Sequence, residues 1–104
     1  MKAMRMIIMF DLPSITKKEL KIYRKWHKFL LRNGFIMMTE SVYSRLLLNK
    51  SIAASARSLV KQNLPPQGNV QLLEITERQF SSIEYCLGEP QSKIVDSVDR
   101  YIEI

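Results

Sequence analysis

The sequence predicts a single α+β domain, in which an antiparallel sheet carries two helices on one face. Three observations lead to this prediction. The chain has 104 residues, the usual size of one domain, and 46% of them are hydrophobic. Short apolar runs typical of strands alternate with two amphipathic segments that have helical spacing. No repeat, low-complexity tract or linker divides the sequence, so residues 1–104 are expected to form one domain.

The first predicted element is a strand from Met4 to Phe10. Only Arg5 interrupts its apolar run, and the strand ends at Asp11, two residues before Pro13. A continuous apolar run is typical of a central strand that is covered on both faces. Asp11 is therefore expected where a central strand emerges from the sheet.

The next element is an amphipathic helix between Thr16 and Asn33. Thr16 and Glu19 have the spacing of a capping box, and Asn33-Gly34 is a typical C-terminal stop. At 100° per residue, the apolar residues share one arc, and basic residues without any acid occupy the complementary arc. The basic arc consists of Lys17, Lys18, Lys21, Arg24, Lys25, Lys28 and Arg32.

The rest of the chain is predicted to alternate between strands and helices. Residues 35–47 are rich in strand-forming residues but too long for one average strand, which predicts two strands or one bent strand interrupted near Thr39-Glu40. The later predicted elements are a helix from Ser51 to Gln62, a strand from Val70 to Ile75, a helical turn from Thr76 to Ser81, and strands over Ile83–Leu87 and Arg100–Ile104.

This order of elements indicates a ferredoxin-like βαββαβ sandwich with additional C-terminal strands. The additional strands exceed what that core needs, and strand edges with unpaired amides invite pairing with another chain. We therefore expect a homodimer, with Tyr101, Ile102 and Ile104 of the last predicted strand at its interface.

The charge distribution indicates a polyanionic partner. The formal net charge is +6, and residues 1–50 hold 11 basic and 3 acidic side chains against 5 and 7 in residues 51–104. Seven cations on one helix face repel one another, which favours a surface for nucleic acid over a merely solvated face. An anionic membrane is the weaker alternative, because the sheet needs the apolar arc of the same helix. Contacts to phosphates, without reading of bases, are expected.

Asp11 is the candidate catalytic and metal-binding residue. One carboxylate is a poor Mg²⁺ site, but a two-fold axis would present two, with water and phosphate as the other ligands. The alternative is a carboxylate that accepts backbone hydrogen bonds in the turn before Pro13, and the residues alone leave both roles of Asp11 open.

His27, the single histidine, lies on the apolar arc and is interpreted as a core or interface residue. A histidine triad or a histidine metal cluster is thereby excluded.

Cys86 is the single cysteine and lies among apolar neighbours, so a buried thiol in a reducing compartment is expected. No apolar run reaches the roughly 18 residues that span a bilayer. The sequence thus predicts a soluble, cytoplasmic protein without a membrane partner.

Four strings of the sequence resemble one known family in the same order and nearly the same spacing. They are RMIIMFDLP, YRKWHKFLLRNGFIM, SVYSRLLLN and GNVQLLEITERQF, and the match runs from about Met4 to Leu87. The family is that of the small CRISPR-associated adaptation proteins, the dimeric partners of the CRISPR integrase. The chain is most similar to the type II-A branch.

The resemblance implies a ferredoxin-like homodimer that bridges two integrase dimers and holds duplex DNA for insertion into the CRISPR array, in antiviral defence. It also implies metal-dependent endonuclease activity for some members, chiefly on RNA, through the aspartate that ends the first strand. Asp11 matches that aspartate. The implied DNA surface is the basic arc from Lys17 to Arg32, with Arg78 as a further contact.

Three hypotheses follow. The first is a scaffold without catalysis that binds double-stranded DNA and the integrase subunit, and it is favoured because no second carboxylate, His or Lys is evident near Asp11. The second is a Mg²⁺-dependent endoribonuclease acting on single-stranded RNA through paired Asp11 residues. The third is a ferredoxin-like regulatory module that binds a small ligand, for which the basic arc is incidental.

Overall fold

The computed structural model describes residues 3–89, and the order of its elements confirms the predicted α+β, ferredoxin-like fold. Two long helices alternate with the strands, and a short third helix follows the last strand. The elements are β1 (Met4–Asp11), α1 (Lys17–Arg32), β2 (Ile36–Thr39), β3 (Val42–Leu47), α2 (Lys50–Gln62), β4 (Asn69–Thr76) and α3 (Glu77–Ser81).

Within residues 3–89 the strands form one sheet in the order β2-β3-β1-β4, and every pairing is antiparallel. β1 is central, as its apolar run predicts, because it pairs with β3 on one side and with β4 on the other. The predicted interruption near Thr39 is also confirmed. The pairing of β2 with β3 shifts register between Met37 and Thr39.

The alternation of side chains along β1 separates two faces of the sheet. Met6, Ile8 and Phe10 belong to the buried core beneath the two long helices. Arg5, Ile7, Met9 and Asp11 therefore lie on the opposite face. The core consists of Met6, Ile8, Phe10, Leu12, Trp26, Phe29, Leu30, Phe35, Tyr43, Leu47, Ala53, Ala56 and Val60.

Both ends of α1 form as their sequence signals predict. The carboxylate of Glu19 accepts hydrogen bonds from the amides of Ile15 and Thr16, and the Thr16 hydroxyl accepts one from the Glu19 amide. The hydrogen bond from the Thr16 amide, followed by that from Ile15, lowers the pKa of Glu19. At the other end, Asn33 caps the helix and Gly34 takes a φ of +84°, which turns the chain into β2.

The sheet face opposite the two long helices, which we call the open face, leaves several apolar side chains accessible. Ile7 lies at its centre and is buried, while its neighbour Leu73 is 49% exposed. On the β2 and β3 side, Leu46 and Ile36 are 41% and 37% exposed. Exposed apolar side chains of three strands, β2, β3 and β4, therefore lie on one face of the sheet.

One end of the open face is covered by α3, which Arg5 anchors to β1. The Arg5 guanidinium donates to both carboxylate oxygens of Glu77, at 3.0 and 2.6 Å, and lies 4.2 Å from the centroid of the Phe80 ring. The amide of Glu77 also donates to the carbonyl of Ala3. Thr76 and Gln79 form the capping box that begins this helix.

The predicted strand over Ile83–Leu87 is wrong, and so is the burial of Cys86. The segment has no strand structure, and Cys86 and Leu87 are exposed. The amide of Ile83 donates to Phe80 at the end of α3, so it is not free to start a ladder. Within residues 3–89 the remaining amides of the segment pair with no strand of the sheet. Arg100–Ile104, with Tyr101, Ile102 and Ile104, lies outside the described residues.

Candidate nucleic-acid interface

The basic arc of α1, which we call the α1 basic face, lies on the outer surface of the helix layer. The helix has this orientation because Trp26, Phe29 and Leu30 are buried against the sheet. Trp26 packs edge-on against Phe10 of β1, with ring centroids 5.9 Å apart, and stacks on Phe29. The apolar arc is thereby fixed inward and the cations outward, along about 24 Å of helix.

All seven cations of the α1 basic face are exposed. Within residues 3–89 the ion pairs are Arg5 with Glu77 and Arg57 with Glu74, and neither involves this face. None of the seven cations is therefore held in an ion pair by a carboxylate of residues 3–89. Their mutual repulsion falls when a polyanion supplies the opposite charge. The residues are Lys17, Lys18, Lys21, Arg24, Lys25, Lys28 and Arg32.

Asp11 lies apart from the α1 basic face, on the opposite side of the sheet. It is exposed, ends β1 on the open face, and pairs in register with Asn69 of β4. The structure thus does not bring the candidate catalytic residue and the seven cations into one site. Among residues 3–89, no hydrogen bond from the following turn reaches the Asp11 carboxylate. The residue is exposed, so solvent ions can reach it.

The described part of one chain does not supply a complete metal site around Asp11. No group of three or more His, Cys, Asp or Glu side chains that could hold a metal occurs within residues 3–89. One carboxylate is at the low end of what Mg²⁺ takes from a protein, with water and phosphate filling the other positions. A second chain would have to contribute further ligands.

Arg78 is exposed on α3, and that helix packs against β1 and β4 rather than beside the α1 basic face. Arg78 is therefore a candidate contact for nucleic acid that is separate from the α1 basic face.

His27 is a satisfied, half-buried residue, as its place on the apolar arc predicts. Its Nδ1 is hydrogen-bonded to the hydroxyl of Tyr43, and the two rings meet edge-on with centroids 5.8 Å apart. Burial lowers the pKa of His27, so the neutral imidazole predominates at neutral pH. The Tyr23 hydroxyl donates a hydrogen bond to the Glu40 carbonyl, which links α1 to the turn between β2 and β3.

Sequence reasoning missed Arg45. This arginine lies on β3 opposite Met6, on the helix-covered face of the sheet, and it is half-buried near the end of α1. A signal was present in the sequence, because Arg45 interrupts the apolar run SVYSRLLLN at a position of the same parity as Tyr43 and Leu47. A charged side chain at a position that faces the core indicates a role other than packing.

A family model described as "CRISPR associated protein Cas2" matches residues 4–83 of this sequence, which includes β1 to α3. The chain belongs to the Cas2 family of CRISPR-associated proteins. Its role is therefore in a CRISPR system, as the resemblance implies. In the part of the chain that the structure describes, no helix has the length and apolar character needed to cross a membrane.

Relatives with high coverage support the family assignment. A protein of Streptococcus mutans serotype c is 48% identical over 95% of this chain and 91% of its own length. A protein of Lacticaseibacillus rhamnosus is 39% identical over 97% of this chain and all of its own length. A protein of Treponema denticola is 37% identical, over 95% and 98% of the two chains. Each is named "CRISPR-associated endoribonuclease Cas2".

Proposed function

We propose that the protein is a DNA-binding scaffold of CRISPR adaptation. In this function it holds duplex DNA against the α1 basic face and joins integrase subunits for spacer insertion into the CRISPR array. The observation that carries the proposal is the set of seven exposed cations on one helix, none of which forms an ion pair within residues 3–89. Their positions suit phosphates, and no base-reading motif accompanies them.

The scaffold is proposed to work as a homodimer. The open face exposes Leu73 and Leu46 beside the buried Ile7, and a second copy of the chain would cover this surface. Ile83, Tyr85 and Leu87 alternate and are exposed in the segment that follows α3, and a second chain could also supply the strand partner that this segment lacks.

A second candidate function, a Mg²⁺-dependent endoribonuclease, is favoured by the names of the relatives and by the exposure of Asp11. Asp11 lies on the open face, where a dimer would bring a second carboxylate from the partner chain. A bound Mg²⁺ would supply a Lewis acid that activates water and neutralises phosphate charge. We favour the scaffold, because the described chain places a single carboxylate there and no set of metal ligands around it. Family membership gives the third hypothesis, a regulatory ligand-binding module, no support.

The scaffold proposal is tested by reversing charge on the α1 basic face. Lys21→Glu with Lys28→Glu should weaken binding of a short blunt duplex at least about tenfold. The magnitude of the negative slope of log affinity against log salt should decrease by about 2. The matched control is Lys50→Glu with Lys61→Glu, two exposed lysines of α2, which changes the net charge equally. Fluorescence anisotropy across a salt series measures both. Equal effects of the two double variants would show that net charge, not this surface, determines binding.

A further inference from the structure

We propose that Arg32, Arg45 and Ser55 form a binding pocket for one internal phosphodiester of the bound duplex, at the C-terminal end of α1. The proposal rests on the proposed function and deepens it, because it assigns a discrete phosphate position to a surface otherwise described only by its charge.

The pocket is a cavity of about 370 Å³ between the end of α1, strand β3 and helix α2. Arg45 enters it from β3, and its Nε lies 3.4 Å from the point where Gly34 would carry a Cβ, so its side chain packs over the turn that ends α1. Arg32 enters from the last turn of α1. The residues that line the cavity are Arg32, Asn33, Gly34, Arg45, Ser55, Ala56 and Leu59.

The two arginines of the pocket differ from the two arginines of residues 3–89 that form ion pairs. Arg5 is paired with Glu77, and Arg57 is paired with Glu74. Within residues 3–89 neither Arg32 nor Arg45 makes an ion pair or a hydrogen bond, and no acid lines the cavity. Arg45 is half-buried, whereas Arg32 is exposed. A guanidinium has five donors, and that of Arg45 loses hydration where it packs over the turn, so an anionic acceptor would stabilise it.

The end of α1 does not need these arginines as caps. The Phe29 carbonyl accepts from both the amide and the side chain of Asn33. The carbonyls of Leu30 and Leu31 accept from the amides of Phe35 and Gly34. The carbonyls of Phe29, Leu30 and Leu31 are therefore already satisfied by capping residues, and the guanidinium donors remain available to a ligand.

Phosphate suits this set of donors better than a carboxylate does. Two guanidinium forks that enter from different elements, together with a hydroxyl, can meet several oxygens of a tetrahedral phosphate at once. Arg32 is also the last cation of the α1 basic face. A duplex backbone that follows this face therefore reaches the pocket at the end of the helix, and the pocket fixes the position of the duplex along α1.

The test compares Arg45→Gln with Arg57→Gln in the full-length protein. Each variant removes one positive charge, but Arg57 is paired with Glu74 and lies outside the pocket. We expect Arg45→Gln to weaken duplex binding about tenfold and to lower the salt slope by about 1, while Arg57→Gln changes neither. Arg45→Lys should lose affinity with little change in slope, because it keeps the charge and loses the fork.

A second pair of variants keeps the test valid if Arg45→Gln fails to fold. Ser55→Asp places a carboxylate in the pocket, whereas Ser58→Asp makes the same change three residues further along α2, outside it. Both serines are exposed, so both variants should fold. Ser55→Asp should weaken binding about tenfold, and Ser58→Asp should not.

The result that overturns the pocket is unchanged affinity and salt slope in both Arg45→Gln and Ser55→Asp while the Lys21→Glu, Lys28→Glu variant still loses binding. That outcome leaves the proposed function intact. If none of these variants loses binding, both the pocket and the proposed function are overturned. Duplexes with and without 5′-phosphates separate the two possible phosphate sources: equal losses support an internal phosphodiester, and a loss confined to the 5′-phosphorylated duplex would overturn that assignment.

Discussion

At the scale of single residues, the turn before β4 shows how closely the backbone packs beside Asp11. Gly68 has a φ of +99°, and a Cβ at this position would lie 2.5 Å from the Asp11 carbonyl oxygen and 2.7 Å from a methyl group of Leu12. Glycine therefore meets two requirements here, a left-handed backbone and the absence of a side chain. The close packing of this turn against the end of β1 depends on both properties of glycine.

Gly68→Ala should accordingly destabilise the fold by about 2 kcal/mol or more, because the alanine would meet backbone atoms as well as an unfavourable φ. Gly88→Ala is the matched control: Gly88 has a φ of +87°, but no atom lies within 4 Å of its Cβ position. It should cost about 1 kcal/mol. Urea denaturation measures both, and equal losses would show that the close approach to Asp11 contributes nothing.

At the scale of elements, the features that neighbouring residues encode could be predicted from the sequence, whereas features that depend on long-range contacts could not. The capping box of Thr16 and Glu19 and the period of α1 are encoded by neighbouring residues, so this helix and its basic face could be predicted. A strand also needs a partner, which the sequence of Ile83–Leu87 does not reveal. The surroundings of Arg45 come from the end of α1 and from α2, and the sequence alone does not bring these together.

The attachment of α3 is such a long-range contact, since Arg5 and Glu77 lie 72 positions apart. Glu77→Gln should weaken the paired hydrogen bonds from Arg5, lower stability by about 1 kcal/mol and increase amide exchange in α3. Glu74→Gln is the control, because Glu74 accepts from Arg57 through a more exposed pair, and it should cost less than about 0.5 kcal/mol. Unchanged exchange in α3 after Glu77→Gln would contradict the anchoring role of Arg5.

At the scale of the whole molecule, the fold separates two surfaces. The α1 basic face and the pocket of Arg32 and Arg45 lie on the helix layer, while the apolar open face and Asp11 lie on the other side of the sheet. In the proposed scaffold, the helix layer binds DNA and the open face binds a second copy. The fold class and the basic face were predicted from sequence, but this separation required the register of the strands.

Dimerisation through the open face is tested with two leucines of nearly equal exposure. Leu73→Asp places a charge on the open face and should convert a dimer at micromolar concentration into a monomer, because a buried unpaired carboxylate opposes association. Leu64→Asp, at 50% against 49% exposure, lies in the loop after α2 and should leave the dimer intact. Light scattering distinguishes the two states. A monomeric unmodified protein, or a dimer that survives Leu73→Asp, would contradict the proposed interface.

The central claim, that the protein acts as a scaffold and not as the catalytic subunit, is tested most directly by spacer integration with the cognate integrase on a short duplex and an array. Asp11→Asn keeps the size and most of the acceptor capacity of the side chain, so integration should persist, whereas any metal-dependent RNA cleavage should fall by orders of magnitude. Lys21→Glu with Lys28→Glu should abolish integration by releasing the DNA. An integration defect in a dimeric Asp11→Asn protein as deep as that of an integrase active-site variant would contradict the scaffold account.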